Sequence, residues 1–110
     1  MSTRETGLRA SPSPGNATPR FLTELLQGSA AQTVKLTFYK QGHQGVYMEC
    51  RRGPNGVFEF LAIDTESPYL DERPLLVAGQ PEVREYRMRF WDKGTPNGDW
   101  TDVTSETVSP

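Results

Sequence analysis

Cys50 and His43 are the one thiol and the one imidazole of this 110-residue chain, seven positions apart. A thiol beside an imidazole is the minimum for nucleophilic catalysis: the base takes the proton and the thiolate attacks. The alternation around Cys50 sends its side chain the same way as Val46 and Met48. There a thiol behaves as a small inert hydrophobe, so the sequence assigns no catalytic residue and the chain is not expected to be an enzyme. Structural zinc takes about four His, Cys or carboxylate ligands, and none cluster here. Two groups of carboxylates remain, Asp64, Glu66, Asp71 and Glu72 around one loop and Asp92, Asp99 and Asp102 around another. A calcium loop spaces its oxygens as D-x-[DN]-x-[DN]-G, a pattern the chain lacks, so turn formation and solubility are their expected roles. With no Gly-rich phosphate loop and no Gly-x-Ser-x-Gly elbow either, no metal and no cofactor is expected.

Binding chemistry is better represented. Arg87, Arg89 and Trp91 alternate along one side of a strand-like segment, opposite Tyr47, Glu49 and Arg51, and Trp100 follows a Gly-rich loop. A guanidinium over an indole or phenol ring gains about 0.5–1 kcal/mol at an exposed site. Two uses follow: a ladder that only stiffens the sheet, or an Arg and aromatic surface that anchors a partner. Carbohydrate stacking on Trp91 or Trp100 is the lesser alternative. With Gly98-Asp99-Trp100-Thr101 beside it, the pattern resembles the arginine–tryptophan ladder next to the GxWS motif of some cytokine-receptor modules.

Period-two alternation is what would hold these side chains in place. Val34, Leu36 and Phe38 point one way between residues 34 and 40, and Val46, Met48 and Cys50 do so between 46 and 52. Residues 57–64 form another strand with Phe58 and Phe60 on one side, and a short edge segment begins at Tyr69-Leu70. From residue 82 to 91, Tyr86, Met88 and Phe90 point inward. A loop at residues 94–98 leads to a last strand over 100–108. Turns at Gln41–Gly45 and Gly53-Pro54-Asn55-Gly56, with strands every 8–12 residues or so, predict an antiparallel sandwich. Residues 18–28 read two ways. As a helix, Thr18 caps, Pro19 takes the first position, and Phe21, Leu22, Leu25 and Leu26 form one apolar stripe. As a strand, Phe21, Thr23 and Leu25 alternate with Leu22, Glu24 and Leu26.

Residues 33–109 resemble a fibronectin type III-like domain, and the segment FLAIDTESPYLDERPLLVAGQPEVREYR is similar to small bacterial proteins carrying this module. VKLTF takes the place of the second strand, GVYMECRR the third, VFEFLAIDT the fourth, and GQPEVREYRMRF and GDWTDVTSETV the closing pair. The resemblance implies that Tyr86, after Gly79-Gln80-Pro81, forms a tyrosine corner whose hydroxyl bonds back to the backbone. It also implies that Leu76 is the leucine before that turn and Phe38 stands where the family has tryptophan. PRFLTELL resembles the family's proline-then-leucine opening, which would make residues 18–28 the first strand. The expected fold class is thus an all-β, fibronectin type III-like (immunoglobulin-like) antiparallel sandwich over 33–110. It is preceded by an extended arm at 1–17 and by a short helix or first strand plus linker at 18–32.

Composition limits the function. Apolar residues are 35% of the chain, below the roughly 45–50% of a typical globular protein, so the core is small. A net charge of −2 is wrong for nucleic acid, which calls for a basic excess, and no apolar run reaches the ~20 residues of a membrane helix. One cysteine cannot form an intrachain disulfide, and the first residues lack the apolar core of a secretory signal, which together favour cytoplasmic synthesis. The sequence therefore points to a non-catalytic structural or interaction protein. In the first reading it is a subunit of a larger assembly, of virion or filament type, bound to copies of itself or a neighbouring subunit. Its N-terminal arm would hold it there, with Phe21, Leu22, Leu25 and Leu26 as anchors. In the alternative it is a free-standing protein- or glycan-binding module that uses Arg87, Arg89, Trp91 and Trp100.

Overall fold

The computed structural model describes residues 18–26 and 32–110; the arm expected at 1–17 lies outside them. The strands are β1 (Arg20–Leu26), β2 (Thr33–Tyr39), β3 (Gly45–Arg52), β4 (Glu59–Asp64), β5 (Tyr69–Asp71), β6 (Glu82–Asp92), β7 (Thr95–Asn97) and β8 (Thr104–Val108). Among the described residues there is no helix. One antiparallel sheet has the order β1-β2-β5, and the other β4-β3-β6, with β7 and β8 both pairing with β6 along its far edge.

The helix alternative is overturned for residues 18–26, the part of the segment 18–28 that the structure describes. β1 pairs with β2 at seven successive positions, from Arg20↔Tyr39 to Leu26↔Thr33. A lone helix this short is marginal in water, whereas the strand satisfies one edge of its backbone and places Phe21 and Leu25 against the core. The sandwich therefore takes in residues 20–26 rather than beginning at 33. Removing residues 1–28 would take away one of the three strands of its sheet, so the stretch is no detachable anchor.

The alternation read from the sequence holds in the core. Val34, Leu36 and Phe38 of β2, Val46, Met48 and Cys50 of β3, and Tyr86 and Met88 of β6 meet between the layers, with Val108 of β8. Phe90 is buried as well, under the His43 ring, which stacks on it at 3.7 Å between centroids and 10° between planes. On β4 the strict alternation fails. The register of β3 to β4 jumps from Met48↔Ala62 to Glu49↔Phe60, leaving Leu61 as the extra residue of a bulge. The bulge turns Leu61 and Ala62 toward the core and leaves Phe60 and Ile63 outside.

The last strand differs from expectation. Lys93 and Gly94, both at positive φ, make a two-residue turn of the kind whose twist suits a hairpin. Thr95–Asn97 then run back along β6 as β7. Thr101 continues that edge: its N–H donates to Met88 O at 2.9 Å and its hydroxyl accepts from Met88 N at 3.0 Å. β8 starts only at Thr104, and the linking segment lays Trp100 over the sheet. At the other end of β3, Gly45 lies so close to β4 that a Cβ there would come within 2.5 Å of the Asp64 carbonyl oxygen.

Candidate interaction surface

Buried polar chemistry is concentrated at the end of the sandwich where β6 begins. Glu82 and Arg84 share the inward parity of Tyr86, so a strand that carries the core also carries a carboxylate and a guanidinium into it. Arg84 donates to Glu82 Oε2 at 2.7 Å and to the Arg73 carbonyl at 2.8 Å, and its Nη1 sits 3.4 Å from Asp71 Oδ2. Arg73 grips both Asp71 oxygens at 2.7 Å and reaches Cys50 Sγ at 3.2 Å. Arg52 donates to Glu82 Oε2 at 2.8 Å, and the Leu76 N–H donates to Glu82 Oε1 at 2.7 Å. The Tyr86 hydroxyl donates to Asp71 Oδ2 at 2.7 Å. The tyrosine-corner expectation is corrected accordingly: the hydroxyl closes onto a buried carboxylate, not onto the backbone. Asp71 is corrected too, from a loop residue kept for solubility to a buried ion-pair partner.

Electrostatics follow from this wiring. Burial alone would raise the Asp71 carboxyl. The hydrogen bonds from Arg73 and Tyr86, with the charges of Arg73 and Arg84, outweigh it and hold Asp71 below the usual carboxylate range. Burial likewise works against the ionisation of Glu82, but the hydrogen bonds from the Leu76 N–H, Arg84 and Arg52 outweigh it, and this carboxyl too is held below its usual range. Burial pushes the Cys50 thiol up despite the nearby Arg73, which is the reverse of an activated nucleophile. His43 is at the far end of β3 from Cys50, its Nδ1 2.5 Å from Asp92 Oδ2. That carboxylate also accepts from Gln44 N at 2.8 Å and Asn97 at 2.9 Å, and the His43 contact leads in lowering it to about 2. The thiol and the imidazole are not brought together. Among the described residues no three His, Cys, Asp or Glu side chains are placed to share a metal ion.

A groove of about 610 Å³ opens beside the buried ion pairs, walled by Pro54, Leu76, Val77, Pro81 and Val83. Its two carboxylates are already engaged, Glu82 by Arg52 and Arg84, and Glu85 by Arg51 at 2.7 and 2.9 Å. It therefore presents no free acid or base. Leu76, implied as the leucine before the tyrosine, is exposed on this wall rather than packed in the core.

The outer face of the β4-β3-β6 sheet assembles the expected ladder with one member changed. Arg87 lies 4.3 Å over the Trp100 ring and 4.1 Å over Phe58, with Arg89 5.4 Å from Trp100 and Arg51 4.7 Å from Phe58. Glu49 accepts from Arg87 at 2.7 and 3.0 Å. Trp91 joins none of these stacks; it stands at the β7 end of the sheet, half-buried opposite Gly45 and Pro96. Phe58 takes the second ring position. Its place just before β4, on the side of Phe60, was the signal for it, and the sequence reading passed it over.

The rings continue past the ladder toward an open edge. Tyr47 is 6.0 Å from Trp100 and 5.3 Å from Phe60 between centroids. Ile63 stands opposite Tyr47 in the register of β3 and β4. Phe60 is 57% exposed, Ile63 43%, and Val57 just before the strand 68%. Arg89 lies opposite Tyr47 on β6. Among the described residues it donates one bond, to the Gly98 carbonyl at 2.8 Å, its buried Nε has no partner, and it forms no ion pair with a carboxylate. Among the described residues no helix is long and apolar enough to cross a membrane. No family model, curated protein or solved structure matches the chain.

Proposed function

We propose that this chain is a non-catalytic protein-interaction module, a fibronectin type III-like sandwich that binds another protein through the outer face of the β4-β3-β6 sheet. One observation carries the reading: exposed Phe60 and Ile63 flank Tyr47, whose ring lies against Phe60 and Trp100, with Arg89 opposite it on β6. Aromatic and arginine anchors of this kind supply most of the binding energy of protein interfaces. The partner's chemistry follows from the surroundings. An apolar side chain would fill the space between Phe60 and Ile63, and a carboxylate would meet Arg89, the guanidinium of this face that has no acidic partner among the described residues. A sugar fits less well, since Arg87 already covers the Trp100 ring. The fibronectin-type reading is supported by the succession of strands, with VKLTF second, GVYMECRR third and VFEFLAID fourth.

The test places a photoreactive phenylalanine at Phe60 in the full chain, with the same group at Thr107 on β8 as the control. The proposal expects a discrete protein adduct from position 60 alone, lost in Arg89→Ala. The adducted protein, purified, should bind Phe60→Glu at least about tenfold more weakly than the wild type. Adducts shared by both positions, or equal affinity for both proteins, would reject it.

A further inference from the structure

β1 is the outer strand of its sheet. It pairs with β2 along its length, and among the described residues no strand pairs with its other edge. β8 packs close beside it without joining the ladder, the Thr23 hydroxyl donating to Glu106 at 2.7 Å. An unpaired edge of this kind is a template for another strand. The outward side chains of β1 are Arg20, Leu22 and Glu24, all exposed, with Leu22 at 51%.

We propose that β1 pairs antiparallel with β1 of a second copy about a two-fold axis through Leu22, making one six-stranded sheet across the dimer. A two-fold contact must be self-complementary, and in this register it is. Leu22 meets the partner's Leu22, Arg20 meets the partner's Glu24, and Glu24 meets the partner's Arg20. Directly opposed pairs share a face of the sheet and interact. The match belongs to this register: centring the pair on Thr23 would set Arg20 against Leu26, and centring it on Phe21 would set Arg20 against Leu22. The second row agrees. Glu24 already stands opposite Lys35, and the Arg20 guanidinium lies 4.9 Å over the Tyr39 ring. Across the junction the order becomes Lys35, Glu24, the partner's Arg20, the partner's Tyr39, with no like charges adjacent. Tyr39 and Leu70 are exposed on the same outer face, opposite Arg20 and Lys35. The other long edge, β4, has acidic residues at both ends, Glu59 and Asp64, so no antiparallel self-pairing brings opposite charges together there. The contact uses the sheet opposite the aromatic face, so it stands or falls apart from the proposed partner site.

Sedimentation velocity of the full chain over a concentration series tests it. The wild type should associate reversibly to a dimer. Arg20→Glu alone and Glu24→Arg alone should each weaken that association by roughly tenfold, because two attractive pairs become two repulsive ones. An equimolar mixture of the two variants should regain a dimer that contains one of each, distinguishable by native mass spectrometry, and the double variant R20E/E24R should regain the homodimer. The mixture restores the pairing without further substitution, so a fold defect in either variant cannot imitate the result. A wild type that stays monomeric, a dimer indifferent to the single reversals, or a mixture no tighter than its components would each overturn the proposal.

Discussion

Replacing Asp71 by Ala should be among the most damaging single changes in this protein. The magnitude follows from who is left behind. Arg73 is about one-third exposed and can turn to water, but the Arg84 side chain is 0% exposed and would keep only one of its two acidic partners, Glu82. Removing one member of a buried ion pair costs about 3–5 kcal/mol when the other charge is left alone; because Arg84 keeps Glu82, Asp71→Ala belongs at the lower end of that range. A domain this size is stable by about 5–15 kcal/mol in all, so Asp71→Ala should lose a large part of its margin while remaining folded enough to measure. Tyr86→Phe provides the graded companion. It deletes one hydrogen bond to a carboxylate that keeps both bonds from Arg73, and should cost about 1.5–3 kcal/mol. Urea unfolding followed by tryptophan fluorescence measures both. The pH profile adds a sign. Asp71 and Glu82 titrate lower folded than unfolded, so their stabilisation is complete above the unfolded carboxylate range and is lost as pH falls below about 4. Stability should therefore drop in acid, less steeply once Asp71 is removed. An Asp71→Ala protein within about 1 kcal/mol of the wild type would refute the reasoning.

Three further outcomes are expected. Gly45→Ala should destabilise by about 1–3 kcal/mol, since its Cβ would press on the Asp64 backbone and not on a mobile side chain; thermal unfolding checks it. Cys50 should resist alkylation at pH 8 in the native protein and react promptly in denaturant, because it is buried and its thiol is pushed up; rapid native labelling would contradict this. In a carboxyl-detected NMR titration Asp92 should titrate near pH 2, and His43→Ala should move it up toward the usual carboxylate range of about 3.9.

Much of the fold was legible because alternation in this chain is strict where both layers need it. Val34-Leu36-Phe38, Val46-Met48-Cys50 and Tyr86-Met88 all lie where their parity put them. Residues 18–28 were ambiguous locally, because Phe21, Leu22, Leu25 and Leu26 satisfy a helical stripe and an alternating strand alike. The pairing with β2 decides between them, and that is a long-range fact. The Leu61 bulge escaped for a similar reason: an extra residue is visible only against the partner strand. The ion cluster was half legible. Glu82 and Arg84 carry the parity of Tyr86, and an alternation that places charges on a core face is itself a sign of a buried pair. Asp71 could not be read this way, since the three-residue strand β5 is too short for a period. In the outer face, the Arg87–Arg89–Trp100 ladder was foreseen, whereas the exchange of Trp91 for Phe58 depends on how the approach to β4 crosses β3.

The central claim is that the outer face of the β4-β3-β6 sheet is the binding surface. It is tested most directly by titrating the protein cross-linked at position 60, once purified, against the wild-type chain and Phe60→Glu under identical conditions. The account predicts an affinity reduced by at least about tenfold with unfolding midpoints unchanged. Equal affinities would contradict it.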